Sequence, residues 1–153
     1  MSESRVRKYY LGREGVNEIL KIISKETFID SSIINLGQKY NDLESRDDIS
    51  TIINEAFEEY NCVFLPNGVY TITNPIRITG NFKKFYCLGE IKSSADAAIK
   101  ISGSYNDIYI KSIVSNVETK DDGFFDCAIL LNNNNEEKYI YYNNIIVDKI
   151  VGF

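Results

Sequence analysis

Two sets of side chains in this 153-residue chain have types and spacing suited to chemistry. The first is an acidic run, Glu118-Thr119-Lys120-Asp121-Asp122-Gly123-Phe124-Phe125-Asp126. Glycoside hydrolysis needs one carboxyl kept protonated as an acid beside a second, ionised carboxylate that acts as base or nucleophile. Asp121, Asp122 and Asp126 are the candidates for such a pair, and a solvated Asp-Asp-Gly turn is the commoner meaning of the same composition. The second set is tyrosine, present 11 times in a chain without tryptophan. Tyr105, Tyr109, Tyr139, Tyr141 and Tyr142 are candidates for flat surfaces that stack on sugar rings, because the aromatic face is apolar while the phenol bonds outward. Half-buried strand tyrosines produce the same pattern.

The chain contains no histidine, which excludes His-based triads, HExxH zinc sites and imidazole bases from this segment. Cys62, Cys87 and Cys127 are odd in number, far apart and set in apolar contexts, so they read as buried reduced thiols of a protein made in the cytoplasm. No Gly-rich phosphate loop and no metal-ligand spacing occurs, so neither cofactor nor metal is expected. Between residues 39 and 153 the only arginines are Arg46 and Arg77, which gives little support to a lyase built on a calcium-binding acid cluster and an arginine base.

A net charge of -5 and a pI near 4.8 argue against a nucleic-acid footprint, and the one basic cluster, Arg5-Val6-Arg7-Lys8, reads as a solvated tail. No stretch approaches transmembrane length, and Met1-Ser2-Glu3-Ser4 leads into charges instead of the apolar core of a signal peptide. With 44% hydrophobic and 25% charged residues the composition is that of an ordinary globular chain, long enough for one domain with a real core.

The elements that must position these residues follow from periodicity. Ile49, Ile52, Ile53, Ala56, Phe57 and Tyr60 form one helical stripe, with Asp47 or Asp48 available to cap its N-terminus. Cys62-Val63-Phe64-Leu65 then reads as a strand ended by Pro66-Asn67-Gly68, and Val69-Tyr70-Thr71-Ile72 resumes extended structure. An antiparallel hairpin and two successive strands around a corner both fit that pattern. Upstream, Val16, Ile19, Leu20, Ile22 and Ile23 predict a short amphipathic helix, residues 27–36 turn β-like, and residues 37–48 read as a polar connection.

Downstream, short strands are expected over residues 76–78, 85–91, 99–101, 108–113, 128–131, 139–142 and 145–150. Asn106-Asp107-Ile108-Tyr109-Ile110 and Asn143-Asn144-Ile145-Ile146-Val147 are alike at an offset of 37 residues. If the strand at Ala128 is one repeat from each, the spacing is on the order of 20 residues, within the range of solenoids. The run Asn132-Asn133-Asn134-Asn135-Glu136-Glu137 reads as a long corner.

With Val63-Phe64-Leu65-Pro66-Asn67-Gly68-Val69-Tyr70-Thr71-Ile72 preceded by a helix, and with an Asn followed by Ile-x-Ile in Asn106 to Ile110 and by Ile-x-Val in Asn144 to Val147, residues 47–153 resemble the pectate-lyase-like parallel β-helix superfamily. More narrowly, they are similar to the start of bacteriophage tail-spike and tail-fibre β-helices. The resemblance implies a mainly β fold: a right-handed parallel β-helix whose start is capped by the amphipathic helix, after a short N-terminal helical segment. Residues 1–38 are then an anchoring or oligomerisation segment, and residues 39–153 the capping helix and first coils, continuing past Phe153.

By the same resemblance the chain is a virion structural protein that is made in the host cytoplasm, attaches to the particle and presents its β-helix to a host surface polysaccharide. Its expected partners are two further copies in a homotrimer and other tail or appendage proteins, with no nucleic acid and no membrane insertion. The alternative is a polysaccharide hydrolase or lyase whose catalytic residues lie mostly outside this segment.

Overall fold

The computed structural model describes residues 32–116, 127–131 and 139–153. The N-terminal helix expected around Val16 to Ile23, the acidic corner with Asp121, Asp122 and Asp126, and the asparagine run all lie outside the described residues.

In chain order the elements are β1 (Ile33–Asn35), α1 (Leu36–Lys39), a 3-10 turn (Leu43–Ser45), α2 (Ser50–Glu59), β2 (Cys62–Leu65), β3 (Val69–Ile72) and β4 (Ile76–Ile78). There follow β5 (Lys84–Ser93), β6 (Ala97–Ile101), β7 (Asp107–Ser115), β8 (Cys127–Leu131) and β9 (Asn144–Val151). The larger sheet runs β1-β2-β5-β7-β9 with β3 also paired to β5, and the smaller runs β4-β6-β8. Every pairing among these strands is parallel, so the chain is mainly β and built on parallel sheets.

The ambiguity between hairpin and corner is resolved by β5. Strands β2 and β3 pair one after the other with this single long strand, Cys62 opposite Lys84 and Val69 opposite Glu90. Between them Pro66-Asn67-Gly68 makes a corner, held by the Tyr70 hydroxyl donating to the Pro66 carbonyl at 2.8 Å and by the Val69 N–H donating to Glu44 Oε1 at 2.8 Å. The register of β5 shifts between Cys87 and Glu90, and there Gly89 lies so close to the Gly68 carbonyl that a Cβ has no room. A glycine is needed at Gly89 for close approach.

Pairing advances by 22 residues from Cys62 to Lys84 and by 23 from Lys84 to Asp107. It then advances by 37 from Asp107 to Asn144, so the two similar segments are direct neighbours. Strand β8 does not lie between them as the repeat estimate supposes, because it belongs to the smaller sheet beside β6. Residues 139–143 are not a strand either: Tyr142 is left-handed, at φ 48°, which breaks an extended run. At the front, Ile33–Asn35 pairs with Cys62–Phe64, so this part of the expected N-terminal unit is the first strand of the main sheet. The polar connection after it carries α1 and the 3-10 turn, which bury Leu36 and Leu43.

The core fills the space between the sheets. Val63, Leu65, Phe85, Cys87, Ile108 and Ile110 come from the larger sheet, and Ile76, Ile78, Ile99 and Ile101 from the smaller. Each such side chain stabilises the fold by roughly 1.5–3 kcal/mol relative to exposure. Cys62, Cys87 and Cys127 form no disulfide. Burial pushes the Cys87 thiol up to about 12, against the weak opposing effect of its contact with the Gly89 carbonyl at 3.6 Å.

Helix α2 lies over one end of this core, with Ile53, Ala56 and Phe57 buried and the Phe57 ring edge-on to Phe85 at 5.7 Å. Polar contacts pin it at three points. At its start Asp48, one residue before the N-cap, accepts the N–H groups of Ser50 (2.9 Å) and Thr73 (3.1 Å) and the Thr73 hydroxyl (2.7 Å). Midway, the Asn54 amide donates to the Pro75 carbonyl (3.1 Å) and accepts the Arg77 N–H (2.7 Å). Those are backbone groups on the outer edge of β4, so one side chain closes a sheet edge. At its end Lys83 Nζ donates to the Phe57 and Tyr60 carbonyls at 3.0 and 3.2 Å, placing a cation at the helix C-terminus.

Asn54→Ala leaves the Arg77 N–H and Pro75 carbonyl without these bonds, and is expected to lower stability by about 1–2 kcal/mol with an unchanged urea m-value. Burial raises the Asp48 carboxyl, but the bonds from Thr73 and Ser50 outweigh it and hold it down at about 2, from an ordinary value of 3.8. A depressed acid stabilises the fold fully above its unfolded value and loses that contribution as pH falls through the folded one. Asp48→Asn is therefore expected to cost about 1 kcal/mol at pH 7, solvent screening at this partly exposed site included. In urea titrations the variant and the parent should converge as the pH falls from about 4 to about 2.

Candidate functional site

Three corners lead into β5, β7 and β9, and their sequences are related. Gly80-Asn81-Phe82-Lys83 and Gly103-Ser104-Tyr105-Asn106 share a glycine followed two residues later by an aromatic, and Tyr141-Tyr142-Asn143 keeps the aromatic-then-polar order. In each, the aromatic stands two residues before the strand. The corners are bonded to one another through their backbones. Phe82 N–H donates to the Ser104 carbonyl at 3.1 Å, and Tyr105 N–H to the Tyr141 carbonyl at 3.0 Å.

Asparagine side chains complete the clamp. Asn81 Oδ1 accepts the Ser104 N–H (2.8 Å), Asn106 Oδ1 the Lys83 N–H (2.7 Å) and Asn143 Oδ1 the Asn106 N–H (3.1 Å), while Asn143 Nδ2 donates to the Gly103 carbonyl (2.9 Å). Gly103 sits directly against the Gly80 carbonyl, where no Cβ fits. These contacts set the spacing of whatever projects from the corners.

What projects is a column of aromatic rings. Phe82 and Tyr105 stack with centroids 5.1 Å apart and planes 8° from parallel, and Tyr105 stacks on Tyr142 at 5.6 Å and 23°. Tyr141 continues from Tyr142 at 6.3 Å, and Tyr139 from Tyr141 at 6.1 Å. The rings stand in water: Phe82 is 62% exposed, Tyr105 44%, Tyr141 48%, Tyr139 79% and Tyr142 80%. Contiguous exposed aromatic surface of this kind marks a binding surface more often than a structural one.

The backbone supports the same conclusion. Among the described residues the only non-glycine positions with positive φ are Phe82 (58°), Tyr105 (59°) and Tyr142 (48°), the three stacked members. Left-handed backbone costs a residue with a Cβ on the order of 1–2 kcal/mol, and Gly or Asn fills such a corner with less strain. The strain is thus gathered at three exposed aromatics.

Four of the five sequence candidates, Tyr105, Tyr139, Tyr141 and Tyr142, therefore come together. Tyr109 does not: it is buried with Cys62, Phe64 and Tyr86 on another part of the sheet, its hydroxyl donating to Asp148 Oδ2 at 2.8 Å. Phe82 is the member that the search for tyrosines passes over, although the Gly-x-aromatic pattern recurring 23 residues apart points to it.

Among the described residues the nearest carboxyl along the chain, Asp107, is raised by burial, with the Asn144 amide and Lys84 opposing the rise. No group of three or more potential metal ligands occurs among the described residues. The arrangement suits adsorption of a ligand with an apolar face and hydroxyl groups.

Gly103→Ala places a methyl group against the Gly80 carbonyl. It is expected to lower stability by about 1–3 kcal/mol and to disturb the Phe82–Tyr105 stacking, read as a change in the near-ultraviolet circular dichroism. Compared with known proteins, the chain matches no protein-family model, no curated protein and no solved structure.

Proposed function

We propose that this chain forms the start of a right-handed parallel β-helix, and that it is a bacteriophage tail-spike or tail-fibre segment that holds a surface polysaccharide on its aromatic column. The β-helix reading is supported by strands that pair in parallel at steps of 22 and 23 residues, two sheets enclosing one apolar core, and a helix over one end. The functional reading rests on one observation: three left-handed aromatic residues held in an exposed stack. Sugar C–H groups pack against the outer edges of the stacked rings, and sugar hydroxyls bond to the exposed phenols. In this reading the protein assembles in the host cytoplasm into virions as a homotrimer, beside other appendage proteins.

Affinity electrophoresis tests the binding. The parent protein is expected to be retarded in gels containing a surface polysaccharide of the host cell, and Phe82→Ala/Tyr105→Ala to migrate as in a plain gel. Size-exclusion analysis of the polymer after incubation separates adhesion from depolymerisation, and adhesion predicts undiminished polymer length. Mobility of the parent unaffected by every polysaccharide offered overturns the reading.

A further inference from the structure

The charge pattern and the spacing of the column say more about the ligand than that it is a glycan. Among the described residues of the corners that carry the rings, 80–83, 103–106 and 139–143, Lys83 is the only charged side chain. Its ammonium is committed to the Phe57 and Tyr60 carbonyls and to Asn61 Oδ1, the last at 3.1 Å. The remaining polar groups are neutral: Asn81, Ser104, Asn106 and Asn143, which bond the corners to one another, and the exposed phenols. A carboxylated or sulfated polymer meets no uncommitted cation among these described residues, and the chain as a whole carries a net charge of -5 that repels it.

The rings are also repeated. Phe82, Tyr105 and Tyr142 belong to three neighbouring strands of one sheet, so the column runs in the direction in which those strands succeed one another. Each ring offers a small contact open to water. One such contact in water is worth little, and adjacent contacts on one polymer reinforce each other because the first binding event raises the local concentration for the next.

Resting on the glycan reading above, we propose that the column is a track for a linear, uncharged glycan lying across β5, β7 and β9, with affinity that accumulates over successive sugar units. Specificity here comes from neutrality and from chain length. Tyr142 and Phe82, the least covered members of the three-ring stack, are its outer subsites and Tyr105 its centre.

The test uses the intact chain and defined probes: dextran, mannan, and cellulose and chitin oligomers of one to six units as neutral ligands, with alginate, polygalacturonate and hyaluronan as anionic ones. Binding is read by affinity electrophoresis for polymers and by calorimetry or tyrosine fluorescence for oligomers. The expected result is retention by at least one neutral polymer, unchanged between 50 and 500 mM salt, with affinity rising at least about tenfold from one unit to six. Tyr142→Asn should flatten that dependence on length while leaving stability equal or higher, since it relieves a strained backbone at a ring that is mostly in water.

Equal affinity for one unit and six overturns the track and leaves glycan binding standing. Preference for the anionic polymers, weakening with salt, overturns the neutral ligand while glycan binding again stands. Binding to none of the probes or host polysaccharides overturns the glycan reading and this inference with it. A Tyr142→Asn chain that loses more than about 1 kcal/mol of stability assigns the stack a structural role and overturns the proposal.

Discussion

In-register parallel pairing is the constraint on which the other features of this molecule depend. Lys84 N–H donates to the Asn61 carbonyl, Asp107 N–H to Lys83 and Asn144 N–H to Asn106, so the residue before one strand always receives the first residue of the next. A parallel ladder places like positions beside one another, so a residue type chosen at one corner meets the corresponding residue of its neighbour. Glycine therefore lies against glycine at Gly68 and Gly89 and at Gly80 and Gly103, and aromatic against aromatic at Phe82, Tyr105 and Tyr142. The apolar core repeats the same logic, with Ile76 opposite Ile99 and Ile99 opposite Ile129.

Such a ladder exposes an edge, and helix α2 shows how one is closed. The helix brings an apolar face to the end of the core while Asn54 answers the N–H and carbonyl that β4 leaves on its outer side. Hydrophobic burial alone does not fix the helix at one angle, because it is non-directional. Asp48 at the start and Lys83 at the end do, each reaching across from or to a strand corner. The cation that completes the helix therefore comes from a corner of the aromatic column.

These relations were unequally legible in the sequence. The period of 3.6 at Ile49 to Tyr60 and the alternation in Ile108-Tyr109-Ile110 are local, and they gave the helix and the strands. Whether β2 and β3 turned back on each other depended on a third strand, β5, that no local pattern contains. The 37-residue offset was visible but its meaning was not, since the same interval fits one long step or two short ones, and β8 in the smaller sheet decides for one. Four rings of the column are legible from residue type alone, whereas Tyr109 and Phe82 require the face and the backbone conformation: alternation turns Tyr109 to the sheet face opposite Ile108 and Ile110, where it bonds Asp148, and a left-handed corner sends Phe82 out.

That division between strand and corner also explains why the column can tolerate sequence that the core cannot. A ring on a strand, such as Tyr86, is enclosed by its neighbours, and burial raises its phenol far above the ordinary range, ahead of the smaller effects of Asp107 and Cys62. A ring on a corner is exposed and stacks on its neighbouring rings, and the ladder bonds beneath it run through the backbone, so its replacement leaves them intact. The corners are thus the places where side chains can change while pairing and core remain fixed. Retaining aromatics there against the backbone's preference for glycine or asparagine sets a local energetic cost, and the amide clamps of Asn81, Asn106 and Asn143 are what hold the strained conformation in place.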